Sequence, residues 1–95
     1  MKLSVITITY NAAQWLERTM RSVLVQKSQD YEYVIVDGAS TDGTLDIIKH
    51  LEPLFEGRLT WLSEPDKGLY DAMNKAIAMA KGDFSKRIPV TSDDE

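Results

Sequence analysis

The stretch YVIVDGASTDGT, residues 33–44, ends an apolar run at a single aspartate and then spends seven positions on glycine, small residues, hydroxyls and a second aspartate. The run Tyr33-Val34-Ile35-Val36 suits a strand buried on both faces. Asp37 marks where the chain leaves the sheet, because a carboxylate there is costly unless it meets donors. The residues after it carry the chemistry of a turn and a helix start. A strand passing through a polar loop into a helix is the repeating unit of parallel α/β sheets.

Working outward, the same unit recurs on both sides. Upstream, LSVITIT at 3–9 is a β-branched run without strong alternation, read as a second buried strand. YNAA breaks it, and from Trp15 to about Gln26 the apolar positions Leu16, Met20, Val23 and Leu24 recur at helical spacing, with Asn11 as the expected N-cap. The strand through the opening stretch spans about Tyr31 to Val36. The helix after it carries Leu45, Ile48, Leu51 and Leu54/Phe55, and Pro53 is expected to end or bend it near Glu52. RLTWLS, 58–63, makes a third short strand, followed by the loop EPDKG. A third helix shows Leu69, Ala72, Met73, Ala76, Ile77 and Ala80 as its apolar stripe, with Gly82 as the expected C-cap. The order β-α-β-α-β-α predicts a three-layer, Rossmann-like α/β fold with right-handed crossovers and a parallel sheet.

Composition agrees with one small soluble domain: 95 residues, 43% hydrophobic and 27% charged. A formal net charge of −4 with scattered Lys and Arg offers no field for nucleic acid. No apolar run approaches the roughly 20 residues of a membrane span. The opening MKLSVITITY is too short and too β-branched for a secretory signal, so the expected compartment is the cytoplasm. Zero cysteines and the single histidine, His50, exclude disulfides, thiolate sites and histidine clusters, leaving oxygen-ligated cations open.

Ligands of open parallel sheets bind beyond the carboxyl ends of the strands. Three polar loops fall at that edge: TYNAA, DGASTDGT and SEPDKG. One shared site is the economical reading, with Thr9, Asn11, Asp37, Asp66 and Lys67 as candidate contacts. Each also has a plainer role. Ser40, Thr41 or Asp42 caps the second helix. Gly38 and Gly43 supply unusual backbone angles or close approach. Asp37 accepts N–H groups of its own loop, or those of a nucleobase and the hydroxyls of a ribose. Lys67 is a solvated loop cation or a phosphate contact. Asp71 and Asn74, one turn apart opposite the apolar stripe, ordinarily belong to a solvated surface. Trp15, Tyr70 and the methionines are read as core or core rim rather than a base-stacking platform. No G-x-G-x-x-G follows the first strand and no G-x-x-x-x-G-K-[ST] occurs. A phosphoacceptor domain would want an acidic cluster where this chain has TYNAA.

Taken in order, SVITITYNAAQWLERTMRSVLVQ, YEYVIVDGASTDGTLDII and SEPDKGLYDAMNKAIAMAKGD resemble the N-terminal half of family 2 glycosyltransferases, nucleotide-sugar enzymes of the glycosyltransferase A fold, over roughly residues 3–84. The resemblance implies that Thr9, Tyr10 and Asn11 line a nucleotide pocket. It implies that Asp37 accepts the N–H of a uracil-like base or binds the ribose, and that Asp66 and Lys67 lie near the base or diphosphate. Asp71 and Asn74 match helix positions that face the nucleotide-sugar. The implied chemistry moves a glycosyl group from a nucleoside diphosphate sugar, of the UDP type, to a hydroxyl acceptor, with inversion and a divalent cation, Mn or Mg. Cell wall or polysaccharide biosynthesis is the expected setting, peripheral to the inner face of the membrane.

After AKGDF the chain departs from the family pattern and reads SKRIPVTSDDE. Residues 1–84 are thus expected to form the nucleotide-sugar-binding domain. Residues 85–95 are an atypical polar tail, poorly ordered or replacing the family's fourth strand. Asp93, Asp94 and Glu95 are read as a solvated acidic terminus rather than metal ligands. With no acceptor site or base assigned, the chain is expected to be inactive alone. An unpaired edge on the first strand would favour self-association unless the tail fills it. A non-catalytic nucleotide-binding or regulatory module is the alternative, and a receiver-like phosphoacceptor domain a weaker one.

Overall fold

The computed structural model describes residues 3–25, 30–65, 67–80 and 88–91. In chain order the elements are β1 (Leu3–Thr9), α1 (Leu16–Leu24), β2 (Tyr31–Asp37), α2 (Thr44–Leu51), a 3-10 turn (Glu52–Phe55), β3 (Leu59–Ser63), α3 (Leu69–Met79) and β4 (Ile88–Thr91). The strands form one parallel sheet in the order β3-β2-β1-β4. The strand order reverses direction at β1, which makes the carboxyl edge there the expected ligand crevice of such a sheet.

Alternation along β1 and β2 sends side chains to two apolar layers, as a strand buried on both faces requires. On one face Val5, Tyr31, Tyr33, Ile35 and Leu59 meet Leu16, Met20 and Val23 of α1 and Ile48 and Leu51 of α2. On the other, Ile6, Ile8, Val34 and Val36 meet Ala72, Ala76 and Ala80. The three-layer, Rossmann-like arrangement is therefore present. Proline cannot donate to the helical ladder, and α2 gives way after Leu51 to the 3-10 turn containing Pro53. That turn buries Phe55, whose ring centre lies 5.3 Å from that of Tyr33.

The sheet also buries hydroxyls and two acids, Glu32 and Asp37. Ser4 donates to Glu32 at 2.6 Å, and the Thr7 and Tyr33 hydroxyls share a bond of 2.7 Å on the opposite face. Burial pushes the Tyr33 phenol up to about 12, only partly offset by its bond to Thr7. Tyr33 thus stays a neutral hydroxyl throughout the physiological range.

One expectation needs correcting. The apolar stripe of α3 does not face the sheet as a whole: its alanines are buried, whereas Leu69 is 55% and Ile77 38% exposed. Alanines let the helix backbone approach the sheet closely, which rotates the larger residues outward. Tyr70, read as core or rim, is 89% exposed for the same reason, since it lies about 200° around the helix from Ala72. Trp15 packs against the core and Met20 is buried, as expected.

The tail contributes a strand. Ile88–Thr91 pairs with β1 from Val5 to Ile8 and forms β4. Among the described residues β4 pairs on one side only, and a proline such as Pro89 is tolerated on an edge strand. The open β1 edge on which self-association depended is closed over Val5–Ile8. Gly82, the expected C-cap of α3, lies outside the described residues.

Close packing of α3 through small side chains makes a specific demand. Ala76→Leu would overfill the contact with Ile6 and Val34 and is expected to destabilise the domain by about 1–3 kcal/mol, read as a lower urea midpoint at unchanged slope.

Candidate functional site

In-register pairing aligns the last residues of three strands: Thr9 lies opposite Asp37, and Asp37 opposite Ser63. Asp37 is fully buried. Its Oδ1 accepts the Thr9 hydroxyl at 2.6 Å and the Ser40 hydroxyl at 2.6 Å. Its Oδ2 accepts the Ser40 N–H at 2.8 Å and the Ser63 hydroxyl at 2.9 Å. Four donors satisfy a charge that would otherwise be prohibitive there. The backbone adds to the joint, since Gly38 N–H donates to the Thr9 carbonyl and Glu64 N–H to the Asp37 carbonyl.

The loops after β1 and β2 are knitted together. Asn11 Oδ1 accepts the N–H groups of Thr41 at 2.8 Å and Asp42 at 3.3 Å, and Asn11 N–H donates to Ser40 Oγ at 2.7 Å. Asn11 is therefore a bridge between loops rather than the N-cap of α1, a position held by Trp15 without a side-chain bond. Ala12 N–H donates to Thr44 Oγ1 at 2.7 Å, and Ala13 N–H to Asp42 Oδ2 at 3.1 Å. Asp42 Oδ1 takes the Thr44 N–H at 2.9 Å and the Thr44 hydroxyl, so of the three candidate caps for α2 it is Asp42 that serves. Gly43, at the N-cap, has no side chain to do so.

Left-handed backbone falls at Asn11 (φ 48°) and Ala39 (φ 62°) rather than at Gly38 or Gly43. An alanine held there is strained by roughly 1 kcal/mol. The bonds on either side of it, at Asp37 and Ser40, fix that geometry.

The third loop runs from Glu64 to Gly68. Lys67 N–H donates to Asp71 Oδ2 at 2.9 Å, and Gly68 sits at φ 118°, a conformation open to glycine. Lys75 reaches back from α3 to Glu64 and Asp71, at 2.9 and 3.3 Å.

The candidate residues thus divide. Thr9 and Asp37 are buried within the joint; Tyr10 and Asn11 follow β1 and are exposed, Lys67 is exposed on the third loop, Asn74 is exposed on α3, and Asp71 is half-buried at the start of α3. Asp66 lies outside the described residues. A base or ribose can reach the Asp37 carboxylate only by displacing one of its present donors. Ser40 and Ser63 are the two that stand part-exposed. The same saturation disfavours Asp37 as a phosphoacceptor. Ser63 and Lys75 were not singled out in sequence; the parallel register that carries Thr9 onto Asp37 also carries Ser63 there. Among the described residues no group of three or more His, Cys, Asp or Glu side chains could hold a metal ion, and Asp93, Asp94 and Glu95 lie outside them. No described helix is long and apolar enough to cross a membrane.

The model of the family described as glycosyl transferase family 2 matches residues 4–94, beyond the expected limit near residue 84. TuaG, a Bacillus subtilis glycosyltransferase provisionally assigned to teichuronic acid biosynthesis, is 42% identical over 82 residues, 86% of this chain and 32% of its own length. Residues 1–349 of TarS from S. aureus, solved in complex with UDP-GlcNAc, superpose with a TM-score of 0.82 at 32% identity, over 98% of this chain and 27% of that one. The mannosyltransferase PcManGT from Pyrobaculum calidifontis, solved with GDP-Man and Mn2+, gives 0.78 at 32% identity, over 84% of this chain and 24% of that one. The chain spans about a third of the length of the curated relatives it matches.

Two outcomes test the loop joint. Thr44→Val keeps the shape but leaves the buried Ala12 N–H without its acceptor, and is expected to cost about 1–3 kcal/mol in urea unfolding. The exposed Thr41→Val is expected to stay within about 0.5 kcal/mol of wild type.

The second outcome concerns acid. Desolvation raises the Asp42 carboxyl, but bonds from the Thr44 hydroxyl and the Thr44 and Ala13 N–H groups outweigh it and hold the group below the ordinary carboxylate range. Asp71 is held low chiefly by the Lys67 N–H, with burial opposing and Lys75 assisting. Folded values below the unfolded ones mean that both contributions are present above the ordinary carboxylate range and are lost as pH falls through the folded values. The amide signals of Ala13, Thr44 and Lys67 are expected to titrate with midpoints below that of an unfolded aspartate; midpoints equal to it would show the bonds to be absent in solution.

Proposed function

The chain belongs to glycosyl transferase family 2, and from that premise we propose that its carboxyl edge binds a nucleoside diphosphate sugar, of the UDP type, for glycosyl transfer to a hydroxyl acceptor. The observation that carries this reading is the aligned row Thr9-Asp37-Ser63, ringed by the exposed Tyr10, Asn11 and Lys67 at the strand ends of a parallel sheet. UDP-GlcNAc in TarS and GDP-Man in PcManGT support it by analogy.

In this reading the nucleoside enters above Asp37, which exchanges the Ser40 or Ser63 hydroxyl for the N–H of the base or a ribose O–H. Thr9 stays beneath and keeps Oδ1 oriented, while Tyr10 and Asn11 form the wall from the first loop. Lys67, with Asp66 beside it, faces the diphosphate, and Asp71 and Asn74 face the sugar from α3. In the transfer itself the acceptor oxygen forms a bond to the anomeric carbon as the bond to the diphosphate breaks, the electron pair leaving with the nucleoside diphosphate. None of the described residues is assigned as the base that takes the acceptor proton, and none of the described carboxylate sets fits the divalent cation expected of the family. In this reading the described residues supply donor binding. Donor capture takes place in the cytoplasm, with the acceptor a lipid-linked or polysaccharide hydroxyl at the membrane's inner face.

The test is a titration of the isotope-labelled chain with UDP, alone and with Mn2+ or Mg2+, with GDP in parallel. UDP is expected to shift the amides of Thr9, Tyr10, Asn11, Asp37 and Lys67 together, and more strongly than GDP. A dispersed spectrum that neither nucleotide shifts would overturn the reading in favour of a module without nucleotide binding.

A further inference from the structure

The loop between β3 and α3 would have little reason to hold one shape if its own residues were all that fixed it. Three fastenings do so instead. Glu64 N–H donates to the Asp37 carbonyl at 3.0 Å, which ties the loop's start to the buried joint. Lys67 N–H donates to Asp71 Oδ2 at 2.9 Å, which ties its end to the first turn of α3. Between these, the Lys75 ammonium lies 2.9 Å from Glu64 Oε2, 3.1 Å from the Pro65 carbonyl and 3.3 Å from Asp71 Oδ2. An ammonium has three donors, and here all three have acceptors. The Lys75 side chain is only 21% exposed. An ordinary lysine paired one turn back on a helix would need only Asp71; reaching a backbone carbonyl ten residues away serves the loop.

We infer that Lys75 is a positioning residue, stapling Glu64 and Pro65 to α3 so that the exposed Lys67 is presented to the diphosphate. The inference rests on the nucleotide-binding reading above and adds to it the residue on which phosphate recognition depends. Lys75 does not itself touch the ligand, since its donors are spent. Its charge is held by the carboxylates it binds, Glu64 foremost, which raise its pKa. It therefore stays cationic across the neutral range.

Two explanations of a Lys75 effect predict opposite results elsewhere. If Lys75 acts by geometry, weakening its grip through Glu64→Gln loosens the loop and weakens UDP binding. If it acts only by neutralising Glu64 and Asp71, Glu64→Gln removes a repulsive charge and tightens UDP binding. Uridine, lacking phosphates, reports the nucleoside half alone.

The experiment measures the Kd of wild type, Lys75→Met, Lys75→Arg, Glu64→Gln, Lys67→Met and the double variant Lys67→Met/Lys75→Met for UDP and for uridine. Lys75→Met is expected to weaken UDP about tenfold, the loss of one charge-assisted contact, while uridine changes by less than about twofold. Lys75→Arg is expected to restore most of the affinity, Glu64→Gln to weaken UDP, and the double variant to bind no more weakly than Lys67→Met. Unchanged UDP affinity in Lys75→Met, an equal loss for uridine, tighter binding by Glu64→Gln or additive losses in the double variant would each overturn the inference. Glu64 is surface-placed, with its side chain 46% exposed, so Glu64→Gln decides the matter even if Lys75→Met fails to fold. A wild type that binds no UDP would overturn the nucleotide-binding reading itself. A wild type that binds while the variants match it would overturn the Lys75 inference alone.

Discussion

The carboxylate of Asp37 is fully buried at the end of β2, and a charge in that position is tolerated only when donors surround it. That requirement shapes everything at the carboxyl edge. Thr9 and Ser63 must end their strands level with Asp37, which fixes the register of β1 and β3 against β2. Ser40 must fold back with both its N–H and its hydroxyl, which drives Ala39 into left-handed backbone. Once Ser40 is placed, its oxygen receives Asn11, and the first loop is drawn onto the second. One charge thus organises three loops that are distant in sequence.

Much of this was open to reading from the chain alone. Runs that stop at Thr9, Asp37 and Ser63 mark strands, the first two buried on both faces, and the helices between them declare themselves by spacing. Asp37 was conspicuous because a carboxylate directly after Tyr33-Val34-Ile35-Val36 asks for a partner. What failed to be legible was which groups answer it. Ser63 is 26 residues from Asp37 in sequence, and only parallel register brings the two together. Asn11 precedes a helix and reads as a cap by local rules, yet a longer-range set of N–H groups on the second loop outcompetes that role. The α3 stripe misled in a different way. Periodicity reports which side of a helix is apolar, but the closest approach to the sheet is decided by side-chain size, and alanines win that contact over Leu69 and Ile77. At β4 the sequence left two states open, and pairing with β1 supplies the bonds that a short strand cannot secure alone.

The same saturation that makes the edge rigid limits what it offers a ligand. N–H groups at a helix start commonly receive anions. At α2 those of Thr41, Asp42 and Thr44 are already taken by Asn11 and Asp42, and at the loop before α1 those of Ala12 and Ala13 are taken by Thr44 and Asp42. Phosphate recognition through these two loops would have to break the joint that holds them. The third loop differs, because its exposed cation is a side chain rather than a spent backbone donor.

A division of labour follows from where the free chemistry remains. The first two loops, locked around Asp37, present a fixed wall whose exchangeable groups are the Ser40 and Ser63 hydroxyls, suited to reading a nucleoside by hydrogen bonds. The third loop hangs from that wall through Glu64 and from α3 through Lys75, so it shares the joint's rigidity at one end and the helix's at the other. Lys67 stands between these two anchors. The placement of this exposed cation thereby depends on both the joint and the helix, which couples the packing of α3 on its alanines to the electrostatics of the edge.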